Sequence, residues 1–199
     1  MVNTDRRFAQ LCSIETAYAG YRFRSRLEAR WAIFFDALEI PWLYEEQGYS
    51  LNHGRVWYLP DFRLPDYNVF VEIKPDVSVI TERDKAAYCA LSVESGMEVL
   101  VFVGSEVGPK TGAYAFFEQD GQPCYDGPVV WSVCPNCCWP KRTHYGLAKP
   151  EQMLCLNCRE VTPFDTLRKY DLLRMWPTLV DAYKQARGAR FEHGEQGGK

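Results

Sequence analysis

The sequence has no basic excess and no internal repeat, and each absence narrows the class of protein. Its 199 residues include 23 Lys and Arg against 26 Asp and Glu, which gives a formal net charge of −3. Proteins that hold DNA across a broad surface usually carry a basic excess, because released phosphate counterions drive much of their binding. Any contact with nucleic acid must therefore depend on a local basic patch.

The sequence also lacks a segment that would contact a membrane. A helix needs about 20 predominantly apolar residues to cross a bilayer, and the apolar run at residues 99–103 is far shorter. No apolar stretch follows Arg6 and Arg7, so a signal peptide is not expected. These features predict a cytoplasmic protein without a membrane partner.

Histidine is scarce, and His53, His144 and His193 have no partners at a spacing typical of a catalytic or metal site. Hydrophobic residues make up 47% of the chain and aromatic residues 15%, which is enough for a packed core. The length suits one main domain with a small appendage.

The pattern of apolar residues predicts an α/β core with a central mixed sheet flanked by helices. Residues 23–38 read as a helix, with Ser25 and Glu28 forming an S-x-x-E capping box at its start. Strands are predicted at 42–51, 56–62, 69–73 and 98–103, and a second helix at 81–94.

The second half of the chain has a different character. Residues 105–128 are rich in Gly, Pro and polar residues, broken by a short aromatic run at 114–117. A helix is predicted over 163–187, split or kinked at Pro177. The resulting division is a core at 1–128, a cysteine-bearing module at 129–162, a helical segment at 163–190 and a disordered tail at 191–199.

Two carboxylates and a lysine are predicted to converge. Glu72 and Lys74 are two residues apart on one strand and therefore share a face, while Asp61 ends the preceding strand, which would lie alongside. Two carboxylates about 4 Å apart repel each other by roughly 4 kcal/mol at an effective dielectric constant of 20. A divalent cation such as Mg²⁺ removes that repulsion and suits such a site. An exposed Glu–Lys pair with an unrelated Asp is the simpler alternative.

Three runs of sequence carry a resemblance: R-F-R-S-R-L-E-A-R-W at 22–31, Y-L-P-D-F at 58–62 and V-E-I-K-P at 71–75. They resemble the core motifs of PD-(D/E)xK nucleases. They are especially similar to small endonuclease-like members from phages and bacteria, and to the endonuclease subunit of Tn7-like transposases. The resemblance covers about residues 20–104 and implies a restriction-endonuclease-like fold.

The resemblance also implies roles for individual residues. Asp61 and Glu72 would bind Mg²⁺ or Mn²⁺, Lys74 would be the catalytic lysine, and Glu28 would be the helix glutamate that assists the metal. The implied activity is hydrolysis of DNA. Alternatives are a junction resolvase acting as a homodimer, a non-catalytic binding module, and a transposase subunit with a protein partner.

Eight cysteines include two C-x-x-C pairs, Cys134/Cys137 and Cys155/Cys158, separated by 17 residues. In a cytosolic chain this spacing is typical of a four-cysteine zinc ribbon rather than of disulfides. Four thiolates close a tetrahedral shell around Zn²⁺ and leave no position for a substrate, so the predicted zinc is structural.

Basic residues that could contact nucleic acid fall in three groups. Four arginines surround the start of the first helix, one lysine lies on the second helix, and two residues lie in the predicted ribbon. They are Arg22, Arg24, Arg26, Arg30, Lys85, Lys141 and Arg142. A solvated helix face is an equally good interpretation of the arginine group.

Overall fold

The structure is a computed structural model, and it describes most of the chain as far as residue 133 together with shorter pieces beyond it. The described residues are 14–109, 111–119, 122–133, 145–148, 152–155, 158, 161–163 and 177–191. They form a mixed α/β architecture, as the sequence predicts.

These residues contain three α-helices and thirteen strands. The helices are α1 (Arg26–Ala37), α2 (Glu82–Ser95) and α3 (Pro177–Gly188), and short 3-10 turns lie at Pro65–Tyr67 and Val77–Val79. The strands are β1 (Thr16–Tyr18), β2 (Tyr21–Phe23), β3 (Leu43–Tyr44), β4 (Tyr49–Leu51), β5 (Val56–Tyr58), β6 (Phe62–Leu64), β7 (Val69–Lys74), β8 (Glu98–Val103), β9 (Gly112–Gln119), β10 (Gln122–Val133), β11 (Tyr145–Ala148), β12 (Gln152–Cys155) and β13 (Val161–Pro163).

One sheet organises most of these strands in the order β13-β12-β11-β10-β9-β8-β7-β6-β3. The pair β7/β8 is parallel, and α2 provides the crossover between them, whereas the other pairs are antiparallel. The hairpins β1-β2 and β4-β5 stand apart from the sheet.

The central strands β7 and β8 are buried on both faces, and side-chain alternation sends their residues into two cores. Val71 and Phe102 join α1 and α3 on one side, while Phe70 and Val101 join α2 on the other. Glu72 alternates with Val71, so it projects toward the α2 side of the sheet.

The core beneath α1 is unusually aromatic. The Trp31 ring lies 4.5 Å from that of Phe102, and Phe34 stacks on Tyr183 of α3 at 4.7 Å. Full burial of such side chains stabilises the fold by about 1.5–3 kcal/mol each. This packing fixes α1 and α3 against each other and holds the start of α1 in place.

The helix predictions for the first half are confirmed with small shifts at the ends. Ser25 caps α1 by accepting a hydrogen bond from the Glu28 N–H. Thr81 and Asp84 form a reciprocal capping box on α2, and Gly96 ends that helix in the left-handed conformation expected of a C-cap.

Two strand predictions were wrong in their continuity. The segment predicted at 42–51 divides into β3 and β4, which lie in different sheets, because Glu45 adopts a positive φ of 44° between them. The segment at 56–62 divides into β5 and β6 at Pro60, which has no N–H to donate to a ladder. These breaks release Asp61 from regular strand pairing.

No strand was predicted over residues 105–128, but β9 and β10 form a hairpin there that extends the sheet. The small residues Ala113 and Ala115 alternate inward along β9. A register shift between Asp126 and Val129 accommodates Gly127 and Pro128 within β10.

The C-terminal predictions are corrected in three places. Pro163 pairs with Gln152 in β13 instead of starting a helix, and Pro177 begins α3, where a missing N–H costs no hydrogen bond. Phe191 is only 9% exposed and packs into the main core, so it does not belong to a disordered tail. Residues 164–176 and 192–199 lie outside the described ranges.

The predicted domain boundary at residue 128 falls inside β10. Trp131, beyond that boundary, is buried among Phe34, Phe102 and Tyr67.

Among the described helices, none is long and apolar enough to pass through a lipid bilayer.

Candidate active site

Asp61 lies at the break between β5 and β6, and only 6% of its surface is exposed. The register that pairs Phe62 with Val71 brings Asp61 level with Glu72 on β7. The Asp61 Oδ2 accepts a hydrogen bond of 2.8 Å from the Ile73 N–H. The strand break thus turns a carboxylate toward the backbone of the neighbouring strand.

Glu72 is buried on β7, and both of its carboxylate oxygens have partners. Lys74 Nζ lies 2.7 Å from Oε1, and the Tyr58 hydroxyl donates a hydrogen bond of 2.5 Å to Oε2. The lysine and the glutamate share a strand face because they are two residues apart. Tyr58 reaches the same carboxylate from the β4-β5 hairpin.

Glu28 is the third buried carboxylate and lies in the first turn of α1, with 8% of its surface exposed. Its Oε1 accepts from the Ser25 hydroxyl at 2.6 Å, and its Oε2 accepts from the Tyr44 hydroxyl at 2.6 Å and the Arg24 N–H at 3.1 Å. These neutral donors use most of the hydrogen-bonding capacity of the carboxylate without neutralising its charge.

The pKa of Asp61 is raised well above its usual range. Burial of the carboxyl is the main cause, followed by repulsion from Glu72 and from Glu28, while the Ile73 N–H and the Lys74 ammonium oppose the rise. Asp61 therefore interacts electrostatically with both of the other buried carboxylates.

Two cations face this cluster. Arg24 forms an ion pair with Glu45, and its Nη2 lies 3.8 Å from Asp61 Oδ1. The pKa of Lys74 is raised, because attraction to Glu72 and Asp61 outweighs the effect of burial, so this side chain carries its proton. Glu28, Glu45, Asp61 and Glu72 set against Arg24 and Lys74 leave the cluster with more acidic than basic groups.

Three phenols near the site, those of Tyr44, Tyr58 and Tyr88, were not singled out by sequence reasoning. The ring of Tyr58 lies 5.7 Å from that of Tyr88, and the pKa of Tyr58 is raised by burial of its hydroxyl and by the Glu72 charge. The Tyr88 hydroxyl is buried and has no hydrogen-bond partner among the described residues. Tyr58 stands three residues before Asp61 in Y-L-P-D-F, which was the one signal in the sequence that could have found it.

The fit of this site to a divalent cation follows from its donors. Carboxylate oxygens are the ligands that Mg²⁺ prefers. Burial is the main cause of the raised pKa of Asp61, and a cation would relieve the repulsion from Glu72 and Glu28 that adds to it. Within the described part of the chain, no three His, Cys, Asp or Glu side chains lie close enough together to form a ready-made metal cluster. Lys74 and Tyr58 instead occupy the oxygens of Glu72.

The structure brings together the four residues Glu28, Asp61, Glu72 and Lys74, and it disperses the predicted basic residues. Arg24 joins the site, whereas Arg22 is exposed and pairs with Glu15. Lys85 lies on α2 beside Glu82 at 2.7 Å.

The remaining predicted basic residues lie elsewhere. Arg26 and Arg30 line a separate cleft with the end of α3. Lys141 and Arg142 fall outside the described residues.

The predicted zinc ligands are only partly within the described structure. Cys134 and Cys137 lie outside it, whereas Cys155 ends β12 and Cys158 follows in a turn. Ser132 of β10 pairs with Gly146, which in turn pairs with Cys155. The C-terminal end of β10 and the C-terminal end of β12, which carries Cys155, therefore lie at the same end of the sheet.

No protein-family model matches the chain, and neither a curated protein nor a solved structure is similar enough to count as a match.

Proposed function

We propose that the protein is a metal-dependent nuclease that hydrolyses phosphodiester bonds in DNA, with Asp61, Glu72 and Lys74 at its catalytic centre. The observation that supports this most is the burial of Asp61 beside Lys74 and beside two further buried carboxylates, Glu72 and Glu28, that repel it. Buried like charges cost stability, and groups with strongly perturbed pKa values are concentrated at functional sites.

Asp61 and Glu72 would hold Mg²⁺ or Mn²⁺, with Glu28 assisting. When bound, the ion supplies positive charge for the scissile phosphate and lowers the pKa of a coordinated water. The residues fit such a role, because burial and repulsion from Glu72 and Glu28 raise the pKa of Asp61, and a cation would remove the repulsion.

Lys74 acts as a cation in this proposal and not as a general base, because its raised pKa keeps the ammonium protonated. Its hydrogen bonds would stabilise the charge that develops on the phosphate as water attacks phosphorus and the P–O bond to the leaving group breaks. The Glu72 carboxylate positions this ammonium through an ion pair of 2.7 Å, and the Tyr58 hydroxyl donates a hydrogen bond to the other oxygen of Glu72.

Arg24 is placed to contact a second phosphate oxygen. More than half of its side-chain surface is exposed, at 57%, although its guanidinium lies near Asp61. An arginine that is anchored at one edge and open to solvent at the other can meet an incoming phosphate with little loss of side-chain freedom.

We also propose the finer architecture that the resemblance implies. The order α1, β6, β7, α2, β8 supports a restriction-endonuclease-like core. The common end of β10 and β12 supports a ribbon in which Cys134, Cys137, Cys155 and Cys158 bind one structural Zn²⁺. Metal analysis of the purified protein should find one zinc per chain, lost in a Cys155→Ser/Cys158→Ser variant.

The nuclease proposal is tested by cleavage of supercoiled plasmid and branched DNA in Mg²⁺ or Mn²⁺. Asp61→Ala and Lys74→Ala should each lower cleavage at least about a hundredfold, as expected when a group that stabilises the transition state is removed. EDTA should abolish cleavage.

Asp66→Ala and Lys184→Ala are matched controls, since both residues are exposed and lie outside the site. Cleavage that survives in both site variants would refute the assignment of the centre. A folded wild-type protein that cuts neither substrate would favour the non-catalytic or partner-dependent alternatives.

A further inference from the structure

A cleft of about 340 Å³ lies between the start of α1 and the end of α3, on a part of the molecule that the proposed mechanism does not use. Four of its seven lining residues are arginines. The lining consists of Arg26, Arg30, Arg187, Gly188, Ala189, Arg190 and Phe191. No acidic residue is among them, although the whole chain carries a net negative charge.

The arginines of this cleft have unused hydrogen-bond donors. The Nε atoms of Arg26 and Arg30 are buried and have no acceptor among the described residues. Neither these two side chains nor Arg187 and Arg190 form an ion pair with any described carboxylate. Buried donors normally find acceptors, because an unmade hydrogen bond costs about 1–3 kcal/mol. A cleft that gathers four guanidinium groups, two of them with buried donors that lack an acceptor, therefore indicates an anionic ligand.

The cleft and the carboxylate site lie on opposite faces of α1. Glu28 is two residues from both Arg26 and Arg30, which places it about 200° around the helix from each. A helix with its side chains is about 10–12 Å wide, and duplex DNA rises about 3.4 Å per base pair. A few base pairs that cross the start of α1 would therefore reach from one site to the other.

We infer that this arginine cleft, formed by Arg26, Arg30, Arg187 and Arg190, binds backbone phosphates of the nucleic acid that the carboxylate site cleaves. The inference rests on the proposed nuclease function, because that function supplies the polyanion. Guanidinium groups bind phosphate oxygens in pairs, which suits a cleft with several donors. Phosphate contacts of this kind position DNA without reading its sequence.

The test measures binding of a fluorescent duplex of about 20 base pairs in EDTA, where no cleavage occurs, over a series of salt concentrations. Arg187→Gln/Arg190→Gln should weaken binding about tenfold at roughly 0.1 M salt. It should also reduce the slope of log K against log salt by about 0.9 for each phosphate that the variant no longer neutralises. Lys184→Gln removes one charge from the same helix outside the cleft and should leave the slope unchanged.

Arg26→Gln should reproduce part of this weakening from the other wall of the cleft, and circular dichroism checks that every variant is folded. Equal affinity and slope in wild type and the arginine variants would overturn the inference. Stabilisation of wild type by inorganic phosphate, with DNA binding unaffected by the substitutions, would assign the cleft to a small anion and also overturn it. If the variants lose DNA binding but wild type never cuts, the nuclease proposal fails while the cleft remains a phosphate site.

Discussion

The two faces of α1 show opposite ways of burying charge. On the Glu28 face, the carboxylates of Glu28, Asp61 and Glu72 are buried, and each accepts hydrogen bonds from neighbouring groups. On the other face, Arg26 and Arg30 bury nitrogen atoms that have no acceptor in the described part of the chain. The carboxylates of the acidic face thus find hydrogen-bond donors within the described residues. The Nε atoms of Arg26 and Arg30 on the basic face find no acceptor there. The two faces thus indicate sites by different features: repulsion among buried carboxylates on the acidic face and unused hydrogen-bond donors on the basic face.

Removal of one charged side chain should lower the free energy of unfolding much more on the acidic face than on the basic face. Lys74→Met should destabilise the protein by about 3 kcal/mol, because it leaves Glu72 buried without its ion-pair partner. The double variant Glu72→Gln/Lys74→Met should recover most of that loss while remaining inactive. Urea unfolding measures both. If the single and double variants are equally stable, the ion pair does not govern stability at this site.

The second-largest effect is expected at the Tyr58 hydroxyl, which helps to hold Glu72. Tyr58→Phe removes a hydrogen bond to a charged group and should cost about 1.5–3 kcal/mol of unfolding free energy. If Tyr58 positions Glu72, cleavage should fall mainly through kcat, with KM for DNA little changed. Tyr49→Phe, on the same hairpin but packed against Phe70, is the matched control. A loss confined to KM would argue for direct substrate contact instead.

The pH dependence of stability should separate the two faces as well. Because the folded-state pKa of Asp61 lies above its unfolded value, the folded protein binds more protons at this residue. Stability from this group is present below the unfolded pKa and declines as pH rises through the folded pKa. Thermal unfolding of metal-free protein should show this decline in wild type, and the decline should be weaker in Asp61→Asn. Added Mg²⁺ should protect most at the higher pH. The same profile in both proteins would contradict the coupling of the carboxylates.

The smallest effect is expected on the basic face. Arg26 and Arg30 are four residues apart on α1, and like charges at that spacing destabilise a helix by about 0.2–0.5 kcal/mol. Arg30→Gln should therefore leave unfolding free energy unchanged or raise it by a few tenths of a kcal/mol, while weakening DNA binding. A loss of more than about 1 kcal/mol in urea unfolding would show that Arg30 has a structural role that the cleft hypothesis does not include.

The sequence predicted the helices and buried strands of the first half well, because their patterns are strong and local. Apolar residues recur at helical spacing in α1, and Ser25 and Thr81 provide side-chain caps. The strands β7 and β8 are continuous β-prone runs. Strands were missed where distant pairing decided the outcome: Ala113 and Ala115 become core only because β9 lies against β8.

The candidate catalytic residues could be proposed from sequence because Asp61, Glu72 and Lys74 lie on neighbouring segments with a fixed side-chain period. Their environment could not be derived in the same way. The Tyr44 hydroxyl reaches Glu28 from β3, and the Tyr58 hydroxyl reaches Glu72 from β5. Burial raises the pKa of Asp61 only in the assembled sheet.

By itself, the sequence determined the local elements and the identity of the residues that carry charge, since both depend on short-range spacing. Tertiary structure alone decided which charges from distant segments meet. It placed Arg26 and Arg30 beside Arg187 and Arg190, far away in the chain, because the aromatic packing of Phe34 on Tyr183 fixes α3 against α1. Such contacts depend on how complete surfaces fit together, and no spacing rule along one segment contains that information.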